Sequence, residues 1–431
     1  MSNPLSKISV DDVSAVFKRV QKDDLIAGDD TSLLFYDLSR LSGRISNLID
    51  LFPDSTLHAV AVKANPLAKI LGHLCQLDVG AEVASLPELL LAESTGFRSE
   101  KIVFDSPAKT IEELEYALKK GIHINIDSFS ELERIAELKT RIQSRSSIGI
   151  RLNPQVGMGK IAATSVAGEY SKFGISLKEN SEALIETFLK HDWLNGIHLH
   201  IGSQGCSLEM LIKGIETVYE FVVEVNTRLK SRNAGHRINI FDIGGGLPVS
   251  YRQGDETISM KIYRDSIKRR FPELFSDKFK LITEFGRYIH ANAGWVAARV
   301  EYVKETAGIK TAMIHVGADM FVRECYNPDD WHHDISVIDS RGNIKSGNGE
   351  TYAVAGPLCF AGDIIAREAK LPLIEEGDYL IIHDAGAYTL SMWSRYNSRQ
   401  PPKVIGYHDN GEAIEVLKKR EEAEKTINFW D

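Results

Sequence analysis

The feature that most constrains this chain is an alternation. From residue 57 onward, short β-branched, apolar runs recur: LHAVAVKAN (57–65), GAEVAS (80–85), KIVFDS (101–106), IHINIDS (122–128), SIGIRLNP (147–154), GIHLHIGS (196–203), INIFDIGGG (238–246) and KLITEFGR (280–287). Between them lie stretches such as TIEELEYALKK, FSELERIAELKTR and NSEALIETFLKH, whose apolar residues fall at the helical spacing i, i+3, i+4, i+7. Strand alternating with helix calls for a parallel sheet covered by helices. Eight such units over about 230 residues fit a closed (β/α)8 TIM barrel better than an open doubly wound sheet.

After about residue 290 the texture changes to alternating strands broken by Gly, Asn-Gly and Asp-Gly turns, as in DISVIDSRGNI and PPKVIGYHDNGEAIEVL. A chain of 431 residues also exceeds the ~250–300 that one core serves. We therefore expect a barrel over 35–290 and a β-rich domain from 1–34 and 291–431, with TSLLFYDLSRL either joining the second domain or leading into the barrel. The tail LKKREEAEKTINFWD reads as a terminal helix. A net charge of −9 argues against nucleic acid and anionic membranes as partners. No run approaches ~18 apolar residues, so no membrane span is expected. Four widely spaced cysteines without a CxxC pair, and a start without a leader-like apolar run, suit the cytoplasm.

A (β/α)8 barrel builds its active site at the C-terminal strand ends. There the sequence places Lys63, Glu82, Asp105, Asp127, Arg151, His200, Gly244-Gly245-Gly246 and Glu284, with Gly286-Arg287 following. Asp105 and Asp127 read best as caps of the helices that follow. Arg151 either meets substrate or pairs with a structural carboxylate. Lys63 ends an apolar strand, where a lysine is rare unless paired or reactive. A desolvated lysine readily becomes a carbonyl nucleophile. Glycines after strands seven and eight admit phosphate oxygens close to backbone N–H groups, and Arg287 adds a charged donor. Lysine and glycine cup together suggest a phosphate-bearing aldehyde held as a Schiff base, which is what pyridoxal phosphate requires. A competing reading is a metal-dependent barrel hydrolase, since His198 and His200 share one strand face. No partner ligands on neighbouring strands are evident from the sequence, so no metal is expected.

The motifs AVKAN (61–65), HLHIGSQ (198–204), FDIGGGLP (241–248), EFGR (284–287), ANAG (291–294), GPLC (356–359) and HDAGAY (383–388) carry a family resemblance. In order and spacing the chain resembles the fold-type III pyridoxal-phosphate decarboxylases of diaminopimelate, ornithine and arginine, and its texture is nearest to the diaminopimelate branch. The resemblance implies an alanine-racemase-like barrel, pyridoxal 5'-phosphate as cofactor, and a homodimer with shared active sites. It implies that Lys63 binds the cofactor, His200 stacks on its ring and Glu284 pairs with its ring nitrogen. Ser203, Gly244, Gly245, Gly246, Gly286, Arg287 and Tyr388 would hold phosphate, Arg323 would meet a substrate carboxylate, and Cys359 would deliver a proton. An acid at 284 favours an electron-poor ring, hence decarboxylation over racemisation. Retention of Lys63, His200, Glu284 and Cys359 argues against a silent regulatory homologue.

The chain departs from the pattern where substrates are chosen. Phe360 stands where the diaminopimelate branch usually carries glutamate, Phe285 replaces a proline, and ECYNPDDWHHDIS (324–336) differs throughout. The expected reaction is decarboxylation of an amino acid with a second carboxylate, or of an amino-acid conjugate. An ornithine- or lysine-type substrate or a siderophore-pathway intermediate is the alternative. Residues 153–174 read as a mobile lid.

Overall fold

The computed structural model describes residues 6–252, 254 and 257–431. They form two compact units. One runs Ile45–Val249 and Thr257–Tyr288; the other comprises the described residues up to Arg44, those between Ser250 and Glu256, and Ile289–Asp431.

The first unit is a closed parallel barrel. Its strands are β1 (Leu57–Ala61), β2 (Gly80–Val83), β3 (Ile102–Asp105), β4 (His123–Ile126), β5 (Ile148–Asn153), β6 (Leu194–His198), β7 (Ile240–Asp242) and β8 (Lys280–Thr283). Each pairs with the next, and β8 closes on β1 through Ile282 against Leu57. All eight runs read from the sequence are barrel strands. The helices between them start on hydroxyl caps. Ser85, Thr110, Ser128, Ser207 and Ser259 each accept a backbone N–H of the first turn, and Thr110 with Glu113 completes a capping box. These caps stop each helix from unwinding into the loop before it, so the strand ends keep their places. Asp105 and Asp127 do not serve as caps. Thr110 and Ser128 take those positions, and the two carboxyls point elsewhere.

Strands at the barrel bottom carry the usual apolar filling, with Leu57, Ala59, Val103, Ile240 and Ile282 in one cluster. Higher in the barrel the filling turns polar: Glu82, Asn125, Arg151, His198 and Asp242 are all buried. A polar barrel interior persists only if its members satisfy one another or a ligand.

In the second unit a sheet runs in the order 364–371, 350–355, 309–314, 294–306, 32–37, 403–408, 413–418, with 379–382 and 335–338 branching from 294–306. The segment TSLLFYDLSRL gives this sheet the strand Ser32–Asp37, which lies antiparallel to 294–306 and parallel to 403–408. Helix Val10–Lys22, unassigned in the sequence reading, buries Val13, Val16, Phe17 and Val20 in a core with Phe35, Trp295 and Ile381. Phe35 and Trp295 stack face to face at 3.9 Å. The C-terminal tail is not one helix. It continues from strand Ala413–Lys418 through a 3-10 turn into the single turn Ile427–Trp430.

Candidate active site

After β1 the chain enters a 3-10 turn, Val62–Ala64, which presents Lys63 at the barrel mouth. Its side chain is 42% exposed, and its Nζ donates to both oxygens of the buried Glu82 on β2. Burial pushes the Glu82 carboxyl up, and the Lys63 charge opposes that rise. Asp105 at the end of β3 accepts from Arg151 Nη1 at 2.7 Å. Burial pushes Asp105 up, but Arg151 and His198 outweigh it and hold the carboxyl below its ordinary range. Arg151 also lies 3.9 Å from Asp127 and over the Phe173 ring. Its guanidinium is thus engaged by barrel carboxylates. Asp127 is pushed up to about 6 by burial.

His200 follows β6. Its Nδ1 accepts the Gly245 N–H at 3.2 Å, which leaves the proton on Nε2. Burial, then the charges of Arg151 and Lys63, lower its basicity, so the ring is neutral. In the glycine turn after β7, Gly244 and Gly246 have φ of +63° and +96°. A Cβ on Gly245 would lie 2.4 Å from the Glu284 carbonyl, and one on Gly246 would lie 2.2 Å from that of Gly202. Only glycine fits there. The Gly244 N–H donates to Asp242 Oδ1 at 2.9 Å. The first two N–H groups of the run therefore serve Asp242 and His200. Arg287 Nε and Nη2 both donate to Ser203 Oγ, at 3.1 and 3.0 Å, which brings the serine of one loop to the arginine of another.

Glu284 lies just past β8, buried, with its Oε1 lacking any hydrogen-bond partner. Burial, then the neighbouring Asp242, pushes its carboxyl well above the usual range. Asp242 is itself pushed up to about 7 by burial. His198 sits among them, 3.1 Å from Asp242, 3.5 Å from Asp105 and 3.8 Å from Glu284. Asp105, His198 and Glu284 offer ligand atoms within 4.8 Å of one another. The expectation that the HxH pair lacks partners on neighbouring strands is corrected at one point: Asp242 on β7, the strand next to β6, lies against His198, whereas Asp105 and Glu284 reach it from β3 and from just past β8. Three carboxyls converge on His198, although Asp105 is also committed to Arg151.

Below this layer Asn125 donates to Asp242 at 3.2 Å and contacts His123, which meets Ser147. The sequence reading assigned no role to Asp242, Asn125 or His123. The available signal was a polar residue inside an otherwise apolar strand, as in HINI and IFDI. The segment 153–174 is hydrogen-bonded to the loop that follows β6. Val166 N–H donates to Ile201, and Ser203 N–H donates to Thr164, while Met158 and Tyr170 are exposed.

In the second unit Arg323 Nη2 donates to the carbonyls of Ala387 and Tyr388, and its guanidinium covers Trp331 at 4.1 Å. Tyr388 has a positive φ of 56°. Cys359 is exposed. Phe360 stacks on Tyr326 at 5.1 Å and 18°.

An amine paired with a buried acid, a second buried acid with an orphaned oxygen, and a Gly-Ser-Arg cradle at the mouth of a (β/α)8 barrel define a pyridoxal-phosphate enzyme. Residues 38–291 match the family of the pyridoxal-dependent decarboxylases over its pyridoxal-binding domain. The chain belongs to that family, and it is a pyridoxal-phosphate-dependent amino-acid decarboxylase similar to the diaminopimelate decarboxylases. It is 33% identical over 375 residues to the diaminopimelate decarboxylase of Zymomonas mobilis, covering 86% of this chain and 84% of that one. The structure of the Helicobacter pylori diaminopimelate decarboxylase complexed with L-lysine superposes with a TM-score of 0.82 at 30% identity, covering 95% and 99%. That of the Methanocaldococcus jannaschii enzyme, also in complex with L-lysine, gives 0.81 at 29% identity, covering 92% and 91%. Among the described residues no helix is long and apolar enough to cross a membrane.

Proposed function

We propose that the protein removes CO2 from an amino acid that carries a second carboxylate or is part of a conjugate. The observation that carries the chemistry is the buried Glu284 with its unpartnered Oε1. A buried carboxyl oxygen left without a hydrogen bond costs about 1–3 kcal/mol unless something arrives to meet it, and the ring nitrogen of pyridoxal 5'-phosphate is a suitable guest. When bound, that cofactor supplies an aldehyde and an electron-poor ring that accepts the electron pair left by departing CO2.

The protein's residues divide the remaining work. Lys63 would hold the cofactor through its aldehyde, and Glu82 orients the amine and accepts its hydrogen bonds. Glu284 would pair with the ring nitrogen and favour its protonated form. His200, neutral and fixed through Gly245, would stack on the ring. Ser203, Gly246, Gly286, Arg287 and Tyr388 would bind the phosphate, whereas Gly244 and Gly245 shape the turn and direct their N–H groups to Asp242 and His200. Arg151 holds the Asp105 carboxyl in its charged form. Arg323 binds the distal carboxylate. Cys359 would supply the proton that replaces the lost carboxyl.

Phe360, stacked on Tyr326, offers no acceptor to an ammonium, which supports a distal carboxylate or amide over a plain diamine. We further propose a homodimer whose β-rich domains complete each other's sites. Four free cysteines support a reducing cytosol as its compartment. A CO2-release screen over dibasic, acidic and conjugated amino acids, with L- and D-centres, tests the substrate class. Release from dicarboxylic or conjugated substrates is expected. Release from ornithine or lysine alone would overturn the assignment.

A further inference from the structure

The turn that carries Cys359 is gripped from two sides, and each grip can be traced to named groups. On the inner side stands Asp363. Its Oδ2 accepts the Leu358 N–H at 2.7 Å and its Oδ1 accepts the Ala318 N–H at 2.5 Å. Its carbonyl accepts the Gly356 N–H at 2.9 Å. The fit is tight enough that a Cβ on Gly317 or Gly356 would lie 2.0 or 2.4 Å from the Asp363 carboxylate. The outer side is held by two consecutive residues. Asn397 Oδ1 accepts the Cys359 N–H at 2.7 Å, and Tyr396 Oη donates to the Cys359 carbonyl at 3.1 Å. Both backbone polar groups of residue 359 are therefore fixed from 396–397, while its thiol stays exposed.

We propose that Asn397 is a positioning residue for Cys359: its side-chain oxygen fixes the backbone that carries the thiol. This rests on the reading of Cys359 as the proton donor. A donor must sit within about 3–3.5 Å of the carbon it serves, and a displacement of an ångström at that range is costly in rate. Within its own subunit, Cys359 is fixed through its backbone N–H and carbonyl.

Asn397 also has φ +54° and ψ 21°, a left-handed conformation that asparagine tolerates better than most side chains. Its two roles, conformation and hydrogen-bond acceptance, can be separated. Asn397→Gly keeps the conformation and removes the acceptor. Asn397→Asp keeps an acceptor at the same place.

The test uses the holoenzyme. Hydrogen–deuterium exchange of the peptide containing Cys359 should quicken about tenfold or more in Asn397→Gly and stay at the wild-type rate in Asn397→Asp. In parallel, kcat should fall roughly five- to tenfold in Asn397→Gly with KM within about twofold, and Asn397→Asp should recover it. Wild-type exchange in Asn397→Gly would overturn the proposal. So would fast exchange with an unchanged kcat, provided that Cys359→Ala is impaired. If Cys359→Ala turns over normally, the reading of Cys359 fails instead, and the exchange rates alone decide whether Asn397 holds the turn.

Discussion

Asp242 is the residue on which the barrel's polar layer turns. It accepts from Gly244, meets His198, takes a hydrogen bond from Asn125 and crowds Glu284. Two buried carboxyls this close do not both ionise readily, so the protein holds a proton among them. The carboxyl of Asp242 is pushed up from 3.8 to about 7 by burial. A group whose folded pKa is raised stabilises the fold most below its unfolded value, and that contribution is lost as pH climbs through the folded one. In the cofactor-free protein, stability from this group should fall between about pH 4 and 7. Urea midpoints across that range should fall more steeply for wild type than for Asp242→Asn, which has no proton to lose. Parallel curves would mean that Asp242 ionises as freely in the fold as outside it. For Glu284, replacement by Gln removes the charge that favours a protonated ring. We expect kcat to drop about 10²–10³-fold, as when a preorganised electrostatic partner is removed, with the cofactor still bound. Retention of most activity would place the electron sink elsewhere.

At the scale of elements, close strand packing makes room for this polar layer. Gly149 on β5 lies against Gly196 on β6, and a Cβ at 149 would come within 2.8 Å of Asn125 Oδ1 and 3.1 Å of the Gly196 backbone. Gly149→Ala should cost about 1–3 kcal/mol in chemical denaturation by overpacking. A neutral change would show that Asn125 can move without penalty. The barrel strands were legible because each βα unit repeats a local pattern, and caps such as Ser85 and Ser128 stand directly before their helices. Strand Ile364–Leu371 was not legible. IIAREAKL is rich in helix formers and half exposed, and pairing with 350–355 decides its state. Helix Val10–Lys22 has a clear helical period but lies outside the βα alternation, so the pattern that found the barrel passed over it. The acids of the site were visible one by one. Their grouping was not, because Asn125 and Asp242 are 117 positions apart and no local signal relates them.

At the scale of the whole molecule, the proposed shared sites make an arithmetic prediction. If Lys63 of one subunit works with Cys359 of the other, mixing equal amounts of inactive Lys63→Ala and Cys359→Ala chains gives half heterodimers, each with one intact site. Activity should recover to about one quarter of wild type after subunit exchange. No recovery, with heterodimers verified by mass, would place both residues in the same subunit's site.

The proposed chemistry depends on the amine at the mouth of the barrel. Holoenzyme reduced with borohydride and digested should carry its pyridoxyl label on the peptide containing Lys63, with Lys63→Ala unlabelled. A label on another lysine, or none in a protein that still releases CO2, would contradict it.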